Sequence, residues 1–77
     1  MSESQQMLME LAIQDIIKYI MNDHNVDWTE AMRRFYVSDT MEKLSDADTG
    51  LYRESSAYVY DLYKNEAHNG RIIQNEI

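Results

Sequence analysis

The side chains able to do chemistry are few and scattered along this 77-residue chain. His24 and His68 are its two imidazoles, and neither H-x-x-x-H nor H-E-x-x-H spacing is present. His24 with Asp23 and Asp27 comes nearest to a metal-ligand set. Helix-end roles account for these residues more simply: Asp27 can cap one helix, and His24 near the end of the preceding one suits the negative end of its dipole when protonated. Asp46-x-Asp48-x-Gly50 opens like a calcium loop. An EF-hand needs glycine at its sixth position and a bidentate glutamate at its twelfth. Here Gly50 is fifth and Ala57 twelfth, so the stretch reads as an acidic turn.

With no cysteine there is neither a thiolate ligand nor a disulfide, a composition that fits the cytoplasm. Nucleophilic catalysis needs an activated hydroxyl or thiol and an oxyanion hole, and no Gly-rich turn or strand-to-helix elbow supplies them. Asp46 and Asp48 pair in a polar turn rather than a pocket. The sequence therefore assigns no catalytic, cofactor-binding or metal-binding residue and identifies no small-molecule substrate; we read the chain as a non-enzyme.

What remains is surface able to meet another protein. Six tyrosines are present, and Tyr is enriched at interface hot spots. Tyr58 and Tyr63 fall in register with Leu62 and read as core. Tyr36 and Tyr60 read as contact residues, together with Leu11 and Met21 from the first helix. The acids outnumber the bases fourteen to seven, a net charge of −7. That balance opposes a nucleic-acid backbone as partner and suits a basic or mixed-charge protein surface.

The elements that must position these residues are helical: there is no proline, and Gly occurs twice. The expected fold class is all-α, a small bundle of three main helices (about residues 4–23, 28–36 and 55–67) plus a short one (about 39–44). Residues 1–77 make one domain at this length, with 1–5 frayed at the N-terminus, Ser4 as first cap, and 71–77 a C-terminal tail that can dock through Ile72, Ile73 and Ile77. No stretch is apolar enough for a bilayer span, and MSESQQM lacks the positive charge of a secretory signal.

On the first helix, Leu8, Met9, Ala12, Ile13, Ile16, Ile17, Tyr19 and Ile20 cover about half the circumference, wider than the ~100° one core face needs. Leu11 and Met21 lie outside even that face. Either other helices wrap it as a central helix or part of it pairs with a second copy. A homodimer is the favoured expectation, since oligomerisation often stabilises so small a core. Asn25 is placed to end this helix.

Next comes NVDWTEAMRRFY, with the chain's one Trp and one Phe. Asp27 and Glu30 have capping-box spacing, and Val26 with Ala31 can form a hydrophobic staple. Trp28, Ala31, Met32 and Phe35 form an apolar stripe, so Trp28→Ala is expected to cost about 3–5 kcal/mol. Glu30 and Arg34 have the favourable i, i+4 order. Ser38 or Asp39 caps the short helix, Asp39 with Glu42 repeating the box spacing, and Met41 and Leu44 form its buried side. SDADTG reads as a loop before the pair Leu51–Tyr52, and Ser55 caps the last helix. The second and third helices have helix-turn-helix spacing, which makes a small nucleic-acid-associated regulator the alternative reading. Against it stand Asp39, Glu42, Asp46 and Asp48 beside the single Lys43.

HNVDWTEAMRRF, TMEKLSDADTGLY and SSAYVYDLYKNE, which together span about half the chain, resemble stretches of short uncharacterised bacterial helical proteins. That resemblance implies a long first helix, a capped second helix, a short connector and a Tyr-rich final helix. Some proteins of this kind resemble small partners encoded beside toxin-like genes, which implies an antitoxin-like or accessory role. It carries over no site residue.

Overall fold

The computed structural model describes residues 2–69, and the expected C-terminal tail lies outside them. Four helices follow one another: α1 (Glu3–His24), α2 (Trp28–Tyr36), α3 (Asp39–Ser45) and α4 (Ser56–Asn69). Two short 3₁₀ turns, Ala47–Thr49 and Leu51–Arg53, join α3 to α4. The all-helical class and the order of three main helices plus a short one are as expected.

The start of α1 is not. Ser2, rather than Ser4, is the cap, and residues 3–5 are helical instead of frayed. The Ser2 hydroxyl accepts from the Gln5 amide at 3.1 Å, and the Gln5 side chain accepts from the Ser2 amide at 2.9 Å. This reciprocal box needs a side-chain acceptor three residues after the cap; Ser4 has Met7 at that place and Ser2 has Gln5. At the other end Asn25 adopts the left-handed conformation (φ 54°) and donates its amide to the Met21 carbonyl, closing the helix as its sequence position suggests.

Asp27 caps α2 by accepting from the Glu30 amide at 2.9 Å. Glu30 does not reach back. Its carboxylate accepts from Arg33 at 2.7 and 3.1 Å and from Arg34 at 2.8 Å. Two guanidinium groups offer more than one backbone N–H, and they lower its pKa from the usual 4.5 to about 2, Arg33 contributing most. A lowered folded-state value means stability that is present above the ordinary carboxylate range and is lost as pH falls through about 2. Glu30→Gln should therefore be slightly less stable than wild type at pH 6, and thermal melts of the two should converge as pH is lowered toward 2 or as salt screens this exposed pair.

Ala31 and Phe35 form the buried edge of α2. Phe35 meets Tyr63 edge-on, with ring centroids 5.6 Å apart. Trp28 was expected on this edge and instead stands at its flank, 39% exposed. A nine-residue helix on a small core buries one sector. The small Ala31 lets that sector approach closely, which turns Trp28 and Met32 to the side.

Ser38, not Asp39, caps α3: its hydroxyl accepts from the Met41 amide at 3.1 Å. It also donates to the Phe35 carbonyl at 2.6 Å, tying α2 to α3. The Asp39–Glu42 box does not form. The amides of Asp39 and Thr40 donate instead to the Glu66 carboxylate of α4, at 2.8 and 3.0 Å, and the buried Thr40 hydroxyl adds a third bond at 2.8 Å. Leu44 is fully buried, while Met41 is half-buried at the core margin.

The expected loop 45–50 is organised by the first 3₁₀ turn. Asp46 accepts from the Asp48 amide at 3.0 Å, and Gly50 takes the left-handed φ of 69° that a Cβ would strain. The second turn then buries Leu51 and Tyr52, and the Tyr52 hydroxyl accepts from the Gln5 side chain at 2.9 Å.

Ser55 caps α4, accepting from the Tyr58 amide at 3.1 Å. The helix runs alongside α1, with the Ser56 hydroxyl donating to Asp15 (2.8 Å) and the Tyr60 hydroxyl donating to Asp23 (2.6 Å). That pairing turns Val59, Tyr60, Leu62 and Tyr63 inward and leaves Tyr58 45% exposed, reversing the expected places of Tyr58 and Tyr60. One core gathers residues of all four helices and the second turn. The Cα envelope measures 34 × 32 × 18 Å, a slab about two helices thick at ~10 Å per helix. So thin a slab covers α1 on one side only, and it is not a wrapped central helix.

Candidate protein-docking surface

The uncovered side of α1 is the place to look for function. Met7 is 61% and Leu11 52% exposed, one turn apart, and Leu8 beside them is also exposed. Side chains four apart on a helix are neighbours, so these make one apolar patch. Where α2 folds back along α1, the helices leave a groove of about 310 Å³. Ile13 and Ile17 face it from α1. Trp28, Met32 and Tyr36 line it from α2, spaced four apart, with Glu10 and Gln14 at its polar lip. Glu10 also borders a second hollow with Glu3, Gln6 and Met7. The two hollows therefore follow one another along α1, with Met7 and Leu11 beside them. Val37, just past Tyr36, is also strongly exposed.

Of the four contact residues read from sequence, this surface holds two. Leu11 and Tyr36 are each 52% exposed. Met21 is half-buried against the core. Tyr60, 6% exposed, is withdrawn as a contact residue: its ring lies 5.1 Å from that of Tyr19, and Asp23 holds its hydroxyl. Burial and the Asp23 acceptor push its phenol pKa well up. Leu8 and Tyr19, expected inward, are partly exposed. Sequence reasoning missed Met7 and misplaced Trp28, while Met32 is half-buried against the core as its place on the stripe suggests and also reaches the groove. The signal for Met7 was its one-turn spacing from Leu11.

Trp28 is thus a groove wall more than a core residue. Trp28→Ala should cost on the order of 1–2 kcal/mol, below the 3–5 of a fully buried aromatic, and lower the melting temperature by under ~15 °C. A melt by circular dichroism checks this; collapse of the fold would restore Trp28 to the core.

The structure does bring His24 and His68 together. With Asp23, Tyr63, Lys64 and Ala67 they line a hollow of about 370 Å³. The Lys64 ammonium opposes a cation there, and Asp23 already accepts from Tyr60. Among the described residues no group of three or more His, Cys, Asp or Glu side chains is placed to hold a metal ion, and no helix is long and apolar enough to cross a membrane. Around the α2–α3 pair, Arg33 and Arg34 are engaged by Glu30, and α3 opens with Asp39 and Glu42 in its first turn, so phosphates would meet carboxylates. No protein-family model, no curated protein and no solved structure matches this chain.

Proposed function

We propose that this chain is a non-catalytic protein-interaction module, an antitoxin-like or regulatory partner by the resemblance of its sequence, met in the cytoplasm and docking through the face shared by α1 and α2. The observation that carries the reading is the apolar track made by exposed Trp28 and Tyr36 and half-buried Met32 in the groove, with exposed Met7 in the adjoining hollow and exposed Leu11 one turn from it. Tracks of this kind on small proteins mark interaction sites, and Trp, Tyr and Met are enriched at interface cores. Self-association and capture of a different protein are the two forms this function takes.

Sedimentation velocity of the wild type beside a Leu11→Ser/Tyr36→Ser variant, each also used as bait in cell extract, is the test. The expected result is a complex, with self or with one specific protein, that the double variant loses while keeping its melting temperature. A wild type that stays monomeric and retains nothing beyond what the variant retains overturns the reading. The alternative, a nucleic-acid-associated regulator built on α2 and α3, requires a gel shift at low salt, where electrostatic binding is strongest.

A further inference from the structure

We propose that the occupant of the α1–α2 groove is a basic amphipathic helix of another protein, laid along α1 from Ile17 toward Glu3. This rests on the interaction reading above and adds the chemistry of the partner.

Shape comes first. The track along α1 from Glu3 to Ile17 is about 21 Å long at 1.5 Å per residue, which accommodates four turns of a second helix. The α2 wall repeats every fourth residue, at Trp28, Met32 and Tyr36. A partner helix presenting apolar side chains at i, i+3/i+4 and i+7 meets such a wall turn by turn. Met32 and Met7 supply flexible surface that adapts to side chains of different shape.

Charge then selects the helix. Glu3 and Glu10 are the charged residues of the two hollows; their other polar members are the amides Gln6 and Gln14. The nearest bases on α2 offset them only in part, because Arg33 and Arg34 share the Glu30 carboxylate and keep one net positive charge against the two negative charges of Glu3 and Glu10. Lys18 is the one lysine or arginine on α1. An acidic lip beside an apolar floor is the complement of lysine or arginine flanking an apolar stripe. A lysine or arginine seated over the ring of Trp28 or Tyr36, both partly exposed, gains a cation–π contact. The protein already makes this contact twice within itself, Arg53 over Tyr52 at 5.4 Å and Lys64 over Tyr60 at 5.1 Å.

A second copy fits less well. It brings the same acidic lip and another −7 of charge. Along α1 the exposed row that would form its seam runs Met7, Leu11, Gln14, Lys18, apolar for one step and polar for the next.

Trp28 is the only tryptophan and stands in the groove wall, so its emission reports occupancy. The probe is a Trp-free Leu/Lys amphipathic peptide of about 18 residues, five helical turns, beside a Leu/Glu peptide with the same apolar stripe. Expected is a saturable one-to-one blue shift with the Leu/Lys peptide and at least about tenfold weaker binding of the Leu/Glu peptide. Tyr36→Ser and Met32→Ser leave the charge unchanged, and each should weaken the Leu/Lys peptide about tenfold, Tyr36→Ser at an unaltered melting temperature and Met32→Ser at a lowered one because Met32 is half-buried against the core. Equal binding of both peptides overturns the basic partner and leaves the interaction reading standing. Leu/Lys binding that ignores Tyr36→Ser and Met32→Ser reflects bulk charge and also overturns it. A concentration-dependent dimer that buries Trp28 makes a second copy the occupant. Silence of both peptides, with a monomer that captures nothing, removes both proposals.

Discussion

Phe35→Ala leaves the chain largely unfolded at 25 °C. Phe35 is fully buried at the junction of α2 with α4 and packs edge-on against Tyr63. Truncating so buried an aromatic costs about 3–5 kcal/mol, as lost transfer energy plus the cavity left behind. A core of this size has only ~3–5 kcal/mol to lose. Urea titration followed by far-ultraviolet circular dichroism should show the folded baseline shortened or absent. A midpoint close to wild type would mean that α2 is held by its caps rather than its core edge, and the groove it walls would lose its rigid side.

Glu66→Ala should be nearly as damaging, although Glu66 is half-buried and charged. Its carboxylate receives three bonds from the start of α3, two from amides and one from the buried Thr40 hydroxyl. Bonds to charged groups contribute about 1.5–3 kcal/mol, and an orphaned buried hydroxyl adds its own cost. A loss of about 2–4 kcal/mol follows, with Glu66→Gln intermediate because an amide keeps one acceptor and gives up the charge. Hydrogen exchange gives the finer signature: the Asp39 and Thr40 amides should lose protection before the amides of mid-α1. Equal loss everywhere would assign Glu66 to the global core instead of to α3.

The residues that end and begin helices were the legible part. Asp27, Asn25 and Ser55 act where the sequence places them, since a cap is decided within four residues. The Ser2 cap was less legible, because Ser2 and Ser4 both stand at the start of the helix and the deciding residue is Gln5, three beyond Ser2. The inward faces of α2 and α4 were half legible. Periodicity finds a stripe, but which edge of it turns inward depends on neighbours distant in sequence. Tyr60 turns inward because Tyr19 and Asp23 meet it across 37 or more residues, and Trp28 turns outward because Ala31 and Phe35 occupy the α2 contact. The Glu66 clasp had no local signal, its partners lying 26 and 27 residues away. Of the docking surface, Leu11 and Tyr36 were visible as apolar residues without a place. The groove itself needed α2 folded back on α1.

The clasp between Glu66 and α3 also bears on how the protein is made. Synthesis delivers the N-terminal residues first, so α1 and α2 emerge with their caps and their first contacts in hand. At that stage the opening amides of α3 have only water, and Phe35 lacks Tyr63. A nascent chain halted before α4 therefore exposes the underside of α1 and α2 together with the α1–α2 groove. Release of α4 completes the packing among the described residues, and a chaperone or protease meeting the chain early sees two apolar faces where the folded helices show one.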